Sequence, residues 1–304
     1  MVVDPYLWNQ MTNQATTAET IAPRPSLAKE LDVYGLTHLG LVRQTNEDHF
    51  LVCSLQKIMK VYNTSLPDSP LLTQSERLAF LALVADGVGG ANAGEEASRI
   101  ALEHVTRYVE KSLQTYYTGD PDDDDAFMHE LEAAALKVHS EIAAEGNADR
   151  TRRGMATTLT LWLGVGNNAY LLQVGDSRCY ILQHGELLQI SRDQTMAEEF
   201  VEQGVFARTD AAYKRWSNVL SSAIGGAQAA PTVTRVTQSL GSVGMMCSDG
   251  LTRHVPDERI RERLRAKVSS RETCEALLQD ALDAGGEDNI TIIVGRPASK
   301  EAAK

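Results

Sequence analysis

Several things are scarce in this 304-residue chain, and each scarcity excludes something. Basic residues are outnumbered, 29 Lys and Arg against 41 Asp and Glu, for a net charge of -12. That balance argues against a nucleic-acid partner, which needs a basic face, and against a polybasic membrane anchor. The four cysteines, Cys53, Cys179, Cys247 and Cys274, form no Cys-x-x-Cys pair, so zinc-ribbon and redox-motif readings fail. Reduced thiols in the core are the expectation. The longest apolar run, Leu78 to Ala85, is far below the roughly 20 residues that span a bilayer. The start, MVVDPYLWNQMTNQ, has neither a basic opening nor an apolar run, so no secretory leader is expected and the cytoplasm is the default compartment.

Other signatures are incomplete. The seven histidines show no His-Glu-x-x-His spacing. Ser177 and Ser248 lack a nucleophile elbow. Gly87-Val-Gly89-Gly90 fails as a dinucleotide fingerprint because position 92 is Asn. The acidic run Asp120 to Asp125 fails as a calcium loop, with Asp125 where Gly is needed and Leu131 where Glu is needed.

What is present is periodic. Residues 1–32 are polar and are expected to form a flexible N-terminal arm. From Val33 two strands are expected around the turn Arg43 to Asp48, then a loop over 60–77 and a buried strand over Leu78 to Ala85. Helical spacing runs through Ala97, Ile100, Val105 and Val109, and again through Phe127, Leu131, Val138 and Ile142. Strands return at 157–165, 169–174 and 179–183, with a tight hairpin at His184-Gly185-Glu186 into 187–191. A short helix at 196–203, a mixed stretch over 204–230 and a strand at 243–247 follow. Two helices at 257–267 and 271–284 and a last strand at 290–294 complete the pattern. Strand groups alternate with helix pairs, which favours an α+β fold of antiparallel sheets between helices over a doubly wound parallel sheet.

The chemistry is suggested by aspartates. Asp86, Asp176 and Asp249 each close an apolar run and precede Gly or Ser, and Asp288 opens the last strand. Several carboxylates at one sheet rim repel each other unless protonated or bridged by a cation, and an all-oxygen set suits Mg²⁺ or Mn²⁺. The plainer reading, that Asp-Gly and Asp-Ser are turn pairs, stays open on these residues alone.

Six pieces in order carry a resemblance: Arg43-Gln-Thr-Asn-Glu47-Asp48, Val84-Ala-Asp86-Gly87-Val88-Gly89-Gly90, Gly154-Met-Ala-Thr-Thr158, Val174-Gly-Asp176-Ser-Arg178, Cys247-Ser-Asp249-Gly250 and Glu287-Asp288-Asn289-Ile290. The chain resembles the metal-dependent protein phosphatases of the 2C type (the PPM family), bacterial branch. The resemblance implies a four-layer α/β/β/α sandwich, two antiparallel sheets flanked by helix pairs, over residues 33–296. A flap is implied near 192–230, with a short tail at 297–304. It implies two Mn²⁺ or Mg²⁺ ions with a weaker third. Asp86 would bridge two metals, with the Gly87 carbonyl on one; Asp249 and Asp288 would complete the other shell; Asp176 with Asp249 would hold the third. Glu47 and Asp48 would order metal-bound waters, and Arg43 would grip the substrate phosphate.

The implied reaction is hydrolysis of phosphoserine or phosphothreonine on proteins by in-line attack of a metal-bridging water. Such an enzyme opposes a serine/threonine kinase in signalling. A phosphatase of small phosphate esters or of one dedicated regulator on the same core, and a silent phosphoprotein-binding adaptor, are the alternatives. Val88 stands where eukaryotic relatives carry a His, and Arg192-Asp193-Gln194-Thr195 departs from the usual start of the flap, so recognition is expected to differ more than chemistry.

Overall fold

The computed structural model describes residues 31–58, 75–89, 93–118, 124–166, 168–237 and 241–297. Most of the expected arm, most of the 60–77 loop, the end of the tail and Asp120 to Asp123 lie outside the described residues.

Two antiparallel sheets form the centre. One runs β1 (Leu31–His38), β11 (Ile290–Pro297), β10 (Val243–Cys247), β7 (Arg178–Gln183), β8 (Glu186–Gln189). The other runs β2 (Asp48–Ile58), β3 (Ser75–Val88), β5 (Leu159–Val165), β6 (Asn168–Val174), β9 (Thr232–Val236), with β4 (Ala156–Thr157) pairing β3. Helices α1 (Ala93–Thr118) and α2 (Asp124–Ala148) cover the second sheet; α6 (Asp257–Arg265) and α7 (Ser270–Asp283) cover the first. The expected four-layer sandwich is the observed one.

Three apolar clusters explain the layering. Leu81, Leu83 and Ala85 of β3 face α1 and α2, where Ala97, Val105, Leu131, Val138 and Ile142 are buried. Ala82 and Val84 of the same strand face the other sheet, against Cys179, Ile181, Met246 and Ile293. A strand covered on both faces has no polar side, which is why this run shows no alternation. Met245 joins the cluster beneath α6 and α7 while its neighbour Met246 lies between the sheets, as the period of two requires. α7 begins with a capping box, Ser269 and Glu272 each bonding the other's backbone N–H. All four cysteines are free, and three are buried.

Some boundaries differ from the sequence-based expectation. β9 falls in a segment with no expected strand; its TVTRV is largely exposed on a sheet edge, and its two valines pack into different clusters, so no continuous apolar face is there to read. The expected 157–165 strand breaks at Thr158. The hairpin turn is the two-residue His184-Gly185, both at positive φ (51° and 84°), with Gln183 opposite Glu186. The stretch over 192–230 holds α3 (Met196–Glu202) and α4 (Ala211–Trp216), and is tied down by bridges Thr195–Leu220 and Thr157–Ile224.

Candidate functional site

Both sheets contribute to one rim. Asp48 opens β2 directly opposite Asp86 in the β2/β3 register. Asp86 does not end its strand, as the sequence suggests; β3 continues to Val88 because Gly87 and Val88 pair with β4. Asp176 occupies the turn between β6 and β7, and Asp288 precedes β11. Asp249 is the first residue of a short helix, α5 (Asp249–Thr252), and not a simple turn after β10.

The backbone around these acids is held by uncharged side chains. The Asp86 N–H donates to Thr158 Oγ1 at 2.9 Å, and Thr157 Oγ1 donates to the Asp86 carbonyl at 2.9 Å. Thr158 and Ser177 hydroxyls bond at 2.8 Å, linking the Asp86 and Asp176 segments. Ser248 and Thr291 each donate to Asp48 Oδ2 at 2.7 Å, which joins the two sheets. Asn289 pins the Arg43 loop: its Oδ1 accepts from Glu47 N at 2.8 Å, and its Nδ2 donates to the Leu39 and Thr45 carbonyls at 2.9 and 3.0 Å. Gly87 is required sterically, since a Cβ there would stand 2.3 Å from the Gly94 carbonyl oxygen. His38 and His254 are acceptors for the backbone N–H groups of Gly40 and Glu287.

The acids themselves are poorly compensated. Asp48 is 3% exposed, Asp176 8% and Asp249 9%. Burial pushes the Asp48 carboxyl up to about 7, although Ser248 and Thr291 oppose the rise. Burial, then repulsion from Asp48, Asp249, Asp176 and Asp288, holds Asp86 well above the usual range. Asp176 rises through burial and the nearby Asp249. Asp249 also rises through burial, against the pull of Arg253. Glu47 rises by burial as well. Glu47 Oε1 and Asp48 Oδ1 are buried with no hydrogen-bond partner.

Two guanidinium groups reach the cluster. Arg43 Nη2 donates to Asp288 Oδ2 at 2.8 Å. Arg253 pairs with Asp249 Oδ2 and donates through Nη1 to the same Asp288 oxygen at 2.7 Å. Among the described residues, no three carboxylate, imidazole or thiolate groups converge as a metal shell.

Every acid singled out in the sequence therefore stands at one rim, with Arg43 beside them. Sequence reasoning missed Arg253, and it assigned no role to Ser248, Thr291 or the amide of Asn289. The signal for Arg253 was its spacing: four residues after Asp249 is one helical turn, legible only if Asp249 starts a helix.

A protein phosphatase 2C family model matches residues 63–289. The serine/threonine protein phosphatase PstP of Mycobacterium tuberculosis is 34% identical over 216 residues, 71% of this chain; the chain spans 40% of the length of that relative. The serine/threonine phosphatase stp of Listeria monocytogenes is 30% identical over 224 residues, covering 70% of this chain and 83% of that protein. A solved structure of the catalytic domain of PstP, in complex with two manganese ions, superimposes with a TM-score of 0.67 at 30% identity, over 89% of this chain and 99% of that one.

Proposed function

The chain belongs to the protein phosphatase 2C family, and from that premise we propose that it is a metal-dependent serine/threonine protein phosphatase. The observation that carries the reading is the rim itself: buried, mutually repelling carboxylates beside the guanidinium of Arg43. A site built for packing would not gather like charges there and leave Glu47 Oε1 and Asp48 Oδ1 unpartnered.

This donor set fits hard divalent cations, because it is all oxygen, mostly anionic and short of compensating charge. Asp86, the Gly87 carbonyl, Asp249 and Asp288 would hold two Mn²⁺ or Mg²⁺ ions, and Asp176 with Asp249 a weaker third. Glu47 and Asp48 would order water in those shells. Bound cations of this kind supply Lewis acidity, neutralising phosphoryl charge and acidifying a coordinated water.

The chain's own residues do the rest. Arg43, on a half-exposed side chain, offers a planar fork to a phosphate monoester dianion. Asn289 holds the Arg43 loop against β11 and so fixes where that fork stands. Val88 is exposed at 42% and has no proton to give, so the leaving alkoxide takes its proton from solvent. A thiol nucleophile is disfavoured: burial pushes Cys179 and Cys274 up to about 12, and Cys247 rises by the same cause. The substrates we propose are proteins phosphorylated on serine or threonine, with a serine/threonine kinase as the opposing activity.

The test is Mn²⁺-dependent phosphate release from a phosphothreonine peptide, with EDTA and Asp249→Asn as controls. Release that disappears in both is expected. Release that survives EDTA, or an Asp249→Asn variant with undiminished turnover at saturating Mn²⁺, overturns the assignment.

A further inference from the structure

Arg253 follows α5, and its backbone N–H donates to the Asp249 carbonyl at 2.9 Å, continuing the helical turn. The turn returns the guanidinium over the Asp249 carboxylate, where Nη2 pairs with Oδ2 while Nη1 reaches Asp288 Oδ2 at 2.7 Å. One planar group thus spans two acids from distant parts of the chain. Among the described residues Arg43 bonds Asp288 alone and is more exposed, 50% against 33% for the Arg253 side chain.

Resting on the metal reading above, we propose that Arg253 is a built-in counter-ion that competes with the metal for the Asp249–Asp288 pair. The guanidinium and a divalent cation draw on the same carboxylate lone pairs, and two cations in that space repel. Without metal, Arg253 offsets part of the repulsion among buried acids that have few other partners. With metal, its bonds to both acids must be given up, and that cost is subtracted from the metal's affinity. The same contact therefore acts with opposite signs: it stabilises the metal-free fold and weakens metal binding. A residue that only shapes the ligands would strengthen both.

Calorimetric titration of Mn²⁺ and thermal melts in EDTA and in Mn²⁺ test this on wild type, Arg253→Gln and Arg253→Lys. Arg253→Gln is expected to tighten Mn²⁺ binding on the order of fivefold, the scale of one partly exposed ion pair. Its melting temperature in EDTA falls, and its rise on adding Mn²⁺ is larger than in wild type. Arg253→Lys keeps the charge but cannot span two carboxylates, so it too tightens binding, by less. If Arg253→Gln does not fold without metal, the Lys titration decides alone: tighter binding than wild type supports the proposal, and equal binding overturns it. Unchanged or weaker Mn²⁺ affinity in Arg253→Gln, with wild type binding normally, overturns the counter-ion role and leaves the metal reading standing. Absence of Mn²⁺ binding in wild type overturns both.

Discussion

Asp280 on α7 and Asp48 at the rim are the same residue type in opposite circumstances. Asp280 accepts two bonds from Arg263, both at 2.7 Å, and two from Arg259 at 2.9 and 3.0 Å. The Arg263 bonds, helped by those from Arg259, hold its carboxyl down to about 2. Asp48 is buried among other acids, and burial drives its carboxyl up to about 7 despite two hydroxyl donors. The Asp280 cluster is complete in itself and serves helix packing. The rim is incomplete in itself: its acids gain more from an outside cation than from each other. Perturbation alone does not mark a functional site, since both clusters are perturbed; the sign does, because only the rim stores unfavourable charge.

The contrast is broken most sharply by removing an acid from each side. Asp86→Asn is expected to cut Mn²⁺-dependent turnover by at least a hundredfold, since it removes a proposed metal ligand. Its metal-free melting temperature should hold or rise, because one of the repelling charges is gone. Steady-state kinetics and melts in EDTA check both halves, and a variant that is active but less stable would place Asp86 with Asp280 as a structural acid.

Arg43→Ala probes the rim from the cationic side. It should raise the Michaelis constant for a phosphopeptide about tenfold through loss of one charge-assisted fork. An unchanged constant would leave Arg43 as a counter-ion to Asp288 only.

The two clusters should also respond to pH with opposite slopes. A carboxyl raised in the folded state, such as Asp48, contributes stability below its ordinary value near 4 and loses it as pH rises through about 7. Asp280, held near 2, contributes stability above about 4 and loses it as pH falls toward 2. Metal-free protein should therefore melt at lower temperature at pH 8 than at pH 5, and saturating Mn²⁺ should flatten that slope. A flat profile in EDTA would show that the rim acids are compensated in some other way.

The smallest effect belongs to Asp280→Asn, about 2 °C in melting temperature with turnover unchanged. A loss of turnover would couple α7 to the rim and dissolve the distinction.

Much of this architecture is legible in the amino-acid sequence. The apolar run ending at Asp86, the helical spacing of Phe127 to Ile142 and the tight hairpin near His184 are local patterns, although Glu186, expected in the turn, belongs to β8. The acids were legible because each sits beside an apolar strand in a recognisable order. β9 was not, because its two valines pack into different clusters and the strand owes its place to pairing with its neighbour β6. Nor was the break at Thr158, where the chain leaves one pairing to support Asp86.

Local patterns along the chain suffice for the order of most strands and helices, for the acids available to a cation and for the family the chain resembles. They suffice because side-chain periodicity and local chemistry are written one residue after another. Tertiary structure alone decided that Asp48 of one sheet meets Ser248 and Thr291 of the other, that Asn289 clamps the Arg43 loop, and that Arg253 bridges Asp249 and Asp288. Apart from Arg253–Asp249, one helical turn, those contacts join residues tens to hundreds of positions apart, and their energies depend on burial and distance, which no linear pattern encodes.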